Sequence, residues 1–379
     1  MTGAWRVCVA ILVAAWSTEA ATATREQEID KTARAIEQEC QRAAGGDWQK
    51  WFDQTASARA ALNSRIEDGF ADVRESPDKK IKHALYRMDG KPPFFEMPDY
   101  AEYVGLHRRP GIASCEDWVS RFDAWKIVLA ASLWFKEHGI DLIFVPVPHL
   151  AEVYGARIAG NVPDDIVIAP YLRKTLLALS RQNVEIVDLL PEFLKQRGSD
   201  DDALFLAADP HWSDRAKRIA ATEVARRLRR YPWAAAAMAK PPRYKMEEKD
   251  LPVRGYFLPL LTDSEKAELG PPVVMRSRVI TTQPAGETPG STEGSSVMVI
   301  GDSYATYRIV PGTGFFQQLM QQINQPVTLR AAEGGITQMF KDLARDMESL
   351  RSTRVVIWVI NGSSFAQSWP DLPPLPKRH

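Results

Sequence analysis

Two short stretches carry side chains whose types and spacing suit acid–base and nucleophilic chemistry. VMVIGDSYAT, Val297 to Thr306, runs four apolar residues into Gly301, Asp302 and Ser303. A buried strand ending this way holds a hydroxyl at the carboxyl edge of a parallel sheet, where open α/β folds place their ligands. Gly, Asp and Ser are also common turn formers, so this stretch alone leaves Ser303 either a nucleophile or a turn residue. In AADPHWSD, Asp209 precedes His211 by two positions, and in extended chain both side chains project to the same side. A carboxylate so placed fixes the imidazole tautomer and leaves the other ring nitrogen to take a proton from a serine. A helix-capping turn explains the same pattern equally well. The two stretches together say more than either, because both fall where loops should leave the carboxyl edge of one sheet. An Asp-His-Ser triad is defined by geometry and not by chain order, and serine at neutral pH needs such a base.

The elements that must position these residues alternate from Glu116 onward. Glu116 to His138 reads as one amphipathic helix stopped by Gly139. IDLIFVPV, Ile140 to Val147, is a continuous apolar run of the kind buried on both faces of a sheet. Further strands are expected at Val184 to Leu189, Val297 to Ile300, Val327 to Arg330 and Val355 to Ile360. Helices are expected at Tyr171 to Arg181, from Ser213 or Asp214 to about Arg230, at Gly314 to Ile323 and at Ile336 to Leu350. Residues 240 to 296 show little periodicity. The alternation predicts a mostly parallel sheet with helices on both faces.

Residues 24 to 75 are helical in pattern, with Ile29, Ala33, Ile36 and Cys40 at helical spacing. Trp48, Trp51 and Phe52 form an aromatic stripe that suits packing or carbohydrate stacking. Residues 76 to 114 are rich in Pro and Gly and read as an extended connection. The resulting division is a signal peptide over 1–23, a helical extension and linker over 24–115, an α/β domain over 116–366 and a proline-rich tail over 367–379. The signal reading rests on Arg6, the apolar run Val7 to Trp16 and the Ala21-Thr22-Ala23 cleavage pattern; an uncleaved anchor is the alternative. Export would leave Cys40 and Cys115 as a disulfide candidate in an oxidising compartment, with two buried free thiols as the other outcome. Forty-eight basic residues balance forty-eight acidic ones in the 379-residue chain, which gives no global field for nucleic acid. No Cys/His cluster offers a metal site, so neither metal nor cofactor is expected.

GDSYAT resembles the nucleophile block of the SGNH hydrolase superfamily, and AADPHWSDRAK resembles its Asp-x-His block. Their order is the reverse of the usual one, which is similar to the periplasmic alginate O-acetyltransferases of the AlgX/AlgJ type. GIDLIFVPVPHLAEVYGARI, AAEGGITQMFKDL and RVVIWVINGSSF resemble further blocks of that family, so the likeness runs from about Glu116 to Phe365. The last block keeps Trp358 but has Val359 and Asn361-Gly362-Ser363 where the family carries charged residues. The resemblance implies a three-layer α/β/α SGNH-like domain behind a helical amino-terminal region, closer to the AlgJ type, with no carbohydrate-binding module. It implies Ser303 as nucleophile, His211 as general base and acid, and Asp209 as its orienting carboxylate. The Ser303 N–H with Gly334 or Gly335 would form the oxyanion hole. Arg330 and Asn361 are substrate-binding candidates, and Tyr304 and Trp212 could line the sugar site. The implied activity is transfer of an acetyl group to hydroxyls of an exported polysaccharide in the periplasm, with a membrane-bound O-acyltransferase as acetyl supplier. A carbohydrate acetylesterase using the same triad, or a non-catalytic polysaccharide-assembly protein on this scaffold, are the alternatives.

Overall fold

A computed structural model describes residues 23–106, 111–121, 124–157, 167–198, 203–252, 255–270, 274–283, 285–308, 310–331 and 336–365. The expected signal peptide, apart from its last residue, and the proline-rich tail, from its first, lie outside these residues. Among them, no helix is long and apolar enough to cross a membrane.

The strands, in chain order, are β1 (Val73–Glu75), β2 (Lys82–Ala84), β3 (Tyr86–Met88), β4 (Phe94–Glu96), β5 (Asp141–Val147), β6 (Glu185–Ile186), β7 (Tyr244–Pro252), β8 (Val274–Thr282), β9 (Val297–Gly301), β10 (Thr328–Ala331) and β11 (Val355–Asn361). Five of them form the central sheet in the order β10-β9-β11-β5-β6. All its pairings are parallel. Every residue of β9 and β11 is buried, the pattern of parallel strands covered on both faces. The protein is therefore a three-layer α/β/α domain with a helical amino-terminal region. On one face Trp358 of β11 meets Phe144 of β5 edge-on at 5.6 Å and Phe340 of helix Ile336–Arg345 at 5.2 Å.

The residues between 76 and 114 are more structured than their Pro and Gly content predicts. β1 pairs with β2 and β3 with β4, both antiparallel, and helix Pro98–Gly105 follows. The strands are three residues each and Pro98 sits in the first turn of its helix, where a missing N–H costs nothing. Residues 240 to 296 also hold a long hairpin, β7 against β8, nine residues on each side. Its charged, largely exposed first strand, YKMEEKDLP, carries no apolar alternation to betray it. Near Glu116 helix is described over Cys115–Arg121 and Ala124–Glu137, the two residues between these spans lying outside the described ones.

Helix Arg25–Ala44 begins at a capping box between Thr24 and Gln27 and ends at Gly45, whose φ of 68° is the left-handed conformation glycine adopts freely. It lies beside edge strand β6 and is fixed there by charge. Glu185 of β6, wholly buried, accepts both guanidinium nitrogens of Arg230 at 2.5 Å. Arg227 lies 3.6 Å and Arg25 3.7 Å from the same carboxylate. Glu28 of the helix pairs with Arg227 at 2.9 Å, and Glu39 reaches Arg173 at 2.8 Å. Cys40, near the end of this helix, and Cys115 are both buried free thiols, so the expected bridge is not formed here. The Cys115 thiol faces the Trp48 carbonyl at 3.6 Å, and burial pushes it up to about 11.

Glu185→Gln leaves three guanidiniums short of a buried counter-charge. A loss of about 3–5 kcal/mol is expected in urea unfolding; a loss below about 1 kcal/mol would show that the network contributes little to holding the amino-terminal helix.

Candidate active site

β9 ends at Gly301, and the chain turns at once into the short helix Ser303–Thr306. A Cβ on residue 301 would collide with the Val359 carbonyl oxygen on β11, so only glycine allows this approach. Asp302 caps the turn: its carboxylate accepts the Tyr304 N–H at 2.9 Å and the Asn361 N–H at 2.8 Å. Burial raises the Asp302 carboxyl, opposed by those two amides and by His211. Ser303 is thereby fixed at the carboxyl edge of the sheet and is partly exposed.

The second loop arrives from Leu204 to Ser213. Ser213 caps helix Asp214–Leu228 through the Ala216 N–H, so the capping function belongs to Ser213 while Asp209 and His211 stand just before it. Asp209 is 3% exposed and receives four donors. His211 supplies its Nδ1 at 2.8 Å and its backbone N–H at 3.0 Å to one oxygen. The Tyr307 hydroxyl at 2.9 Å and the Tyr256 N–H at 3.1 Å take the other. A carboxylate that accepts at Nδ1 places the proton there and leaves Nε2 as the basic nitrogen.

Tyr307 does a second thing. Its ring lies flat on the His211 imidazole, centroids 3.9 Å apart and planes within 3°. The Lys217 ammonium sits over the same tyrosine at 4.9 Å. Lys217 is fully buried and pairs with Asp214 at 3.3 Å; burial pushes its amine down, while Asp214 and Asp209 pull it up. The two loops are also stitched to each other. The Tyr304 hydroxyl donates to the Pro210 carbonyl at 2.5 Å, and Trp212 Nε1 donates to the Tyr304 carbonyl at 3.1 Å. Ser303 thus lies between Asp302, within electrostatic reach of His211, and Tyr304, whose ring centroid is 5.4 Å from the imidazole.

The family described as SGNH hydrolase-like domain, acetyltransferase AlgX, matches residues 123–361. The chain belongs to that family. No curated protein sequence matches it. Among solved structures, the O-acetyltransferase domain of Pseudomonas putida AlgJ superposes with a TM-score of 0.54 at 20% identity, covering 76% of this chain and 93% of that one. Pseudomonas aeruginosa AlgX aligns at 17% identity and a TM-score of 0.46, covering 75% of this chain and 63% of its own. At these identities the AlgJ likeness speaks for the fold.

Within this AlgX-family domain the candidates separate by surroundings. Asp209 and His211 are in contact, and Ser303 occupies the adjoining turn. Asn361 contributes its backbone N–H to Asp302, and its side-chain oxygen accepts from Ser363. Arg330, on the outer strand β10, pairs with Glu293 and Asp346. Tyr304 and Trp212 are buried at 1% and 0% exposure and tie the two loops. Gly334 and Gly335 lie outside the described residues. Tyr307, Lys217 and Tyr256 were not foreseen. Tyr307 stands four residues after Ser303, a spacing with a readable signal, whereas Tyr256 lies 47 residues from Asp209 and has none.

Tyr307→Phe keeps the stacked ring and removes one charge-assisted hydrogen bond. Hydrolysis of a chromogenic acetyl ester is expected to fall about 10- to 100-fold, the equivalent of about 1.5–3 kcal/mol. Activity within twofold of wild type would show that the hydroxyl does not brace Asp209.

Proposed function

We propose that this chain is an exported O-acetyltransferase in which Ser303 carries the acetyl group and a polysaccharide hydroxyl receives it. The observation that carries this reading is the fully satisfied Asp209–His211 pair beside the Gly301-Asp302-Ser303 turn, in a chain of the AlgX acetyltransferase family. In the first half-reaction Ser303 Oγ attacks the acetyl carbonyl carbon, and its proton passes to His211 Nε2. The bond from the acetyl carbon to the donor's oxygen breaks, and that oxygen leaves with the proton from His211. In the second, a sugar hydroxyl oxygen attacks the acetyl-Ser303 ester and gives its proton to His211. The bond to Oγ breaks, and Oγ takes the proton back. Asp209 holds the imidazole in one tautomer and offsets its charge when protonated. The Ser303 N–H, at a first helical position with no intrahelical acceptor, is our assigned donor to the oxyanion. Acetyl donors are not free outside the cytoplasm, so a membrane-bound O-acyltransferase is the proposed supplier and the periplasm the proposed compartment.

Incubation with an activated acetyl ester is expected to add about 42 Da to the peptide containing GDSYAT, as covalent catalysis requires. Ser303→Ala and His211→Ala should each abolish the adduct, and the double variant should behave like either single one. An adduct that persists without His211, or none at all in the wild type, overturns the reading. Clearance of the adduct by water as fast as by saccharide would identify an esterase instead.

A further inference from the structure

One wall of the site joins residues 255–257, inside the family-matched segment, to residues of the amino-terminal region that precede it. Tyr256 is the only exposed aromatic side chain among the described residues, at 44% exposure. Its backbone N–H donates to Asp209, which seats it directly against the acid–base pair. Gly255 packs on Ala208, and the Phe257 N–H donates to the Ala208 carbonyl at 2.9 Å. This backbone is therefore pinned to the loop that carries Asp209.

The ring is pinned as well. His83 of β2 meets the Tyr256 hydroxyl through Nε2 at 3.0 Å, with ring centroids 5.5 Å apart. Both rings rest on Phe257, which is wholly buried. Tyr100, at the start of helix Pro98–Gly105, is half-buried and within electrostatic reach of both Asp302 and Tyr256. Burial, with Glu96 and Asp302 nearby, pushes its hydroxyl up to about 12, so at neutral pH it remains a neutral donor and acceptor.

We propose that Tyr256, His83 and Tyr100 form the acceptor subsite, on which a pyranose ring stacks so that its hydroxyl reaches the acetyl-Ser303 ester. An aromatic ring fixed before binding offers apolar area for the C–H face of a sugar at little entropic cost. The phenolic and imidazole groups at its edge supply hydrogen bonds to sugar hydroxyls. A small acetyl donor needs none of this surface, whereas a saccharide acceptor does. Through His83 and Tyr100 the subsite gives the amino-terminal region a share in choosing the acceptor, beside Tyr256 of the α/β domain. This inference rests on the acetyl-transfer reading above.

The test uses the mature chain with p-nitrophenyl acetate as donor and cellohexaose, chitohexaose and a mannuronate hexamer as acceptor probes. The measured quantity is the ratio of acetyl transferred to acetyl hydrolysed. Tyr256→Ala is expected to lower that ratio at least about tenfold, as loss of a central aromatic anchor does. Tyr256→Trp, which restores a ring, should recover most of it. Tyr100→Phe, a milder change that preserves packing, should lower the ratio as well and stands in if Tyr256→Ala does not fold. A ratio within twofold of wild type in both Tyr256→Ala and Tyr100→Phe overturns the subsite. So does a wild type whose Tyr256 ring resonances are perturbed by none of the three hexasaccharides. The acetyl adduct at Ser303, measured without any saccharide, reports separately on the acetyl-transfer reading.

Discussion

The Asp302 carboxylate accepts one amide from its own turn, Tyr304, and one from the end of β11, Asn361. Two strands are thereby locked in register at the point where β9 must stop and Ser303 must begin. Gly301 makes the lock possible, because the Val359 carbonyl occupies the space a side chain would need. Gly362 repeats the device just past β11, where a Cβ would stand 2.8 Å from the Tyr103 hydroxyl and 2.9 Å from the Val147 carbonyl. The carboxyl edge of the sheet is consequently built from backbone in close contact, and the position of Ser303 follows from that packing. Asp302 is half-buried, its amide donors offset the cost of that desolvation, and it holds the turn in one geometry.

The amino-terminal region is joined to this edge and is not an appendage. The Phe95 N–H donates to the Ala207 carbonyl at 2.8 Å, which ties β4 to the loop bearing Asp209. The Tyr103 hydroxyl donates to Glu152 at 2.5 Å, and the Tyr171 hydroxyl to the Tyr103 carbonyl at 2.6 Å. At the other end of the region, the Glu28 and Glu39 contacts hold helix Arg25–Ala44 along β6, an edge strand that would otherwise present unpaired backbone. The same segment therefore covers a sheet edge and braces the loop that bears Asp209.

The parallel sheet was legible because strands buried on both faces leave unbroken apolar runs, as IDLIFVPV and VMVIG do. β6 is only two residues long where Val184 to Leu189 was expected, since edge position limits its pairing to Ile143 and Phe144. Asp209, His211 and Ser303 could be singled out because each sits in a local pattern that turn chemistry and side-chain alternation make readable. Tyr256 could not, for its role comes from a backbone N–H delivered across 47 residues, and any residue but proline has that donor. Lys217 was hidden for another reason: a lysine on a helix reads as a solvated face, and only tertiary packing shows it buried against Tyr307. Arg330 and Tyr304 show the converse: chemically suitable residues whose polar groups have partners that only the folded chain reveals.

The polar groups around His211 are arranged so that Asp209 has no capacity to spare. A carboxylate offers about four acceptor positions, and the two His211 donors, Tyr307 and Tyr256 fill them. A carboxylate whose acceptor positions are all taken suits an orienting role. The Tyr307 ring contacts both the Lys217 ammonium, which pairs with Asp214, and the His211 imidazole stacked on it. When His211 gains a proton, its positive charge develops against the electron-rich ring face and beside a saturated carboxylate, so the charged state is met by groups already in place. In the proposed acetyl transfer, little would have to move for that proton to be gained and returned in each half-reaction.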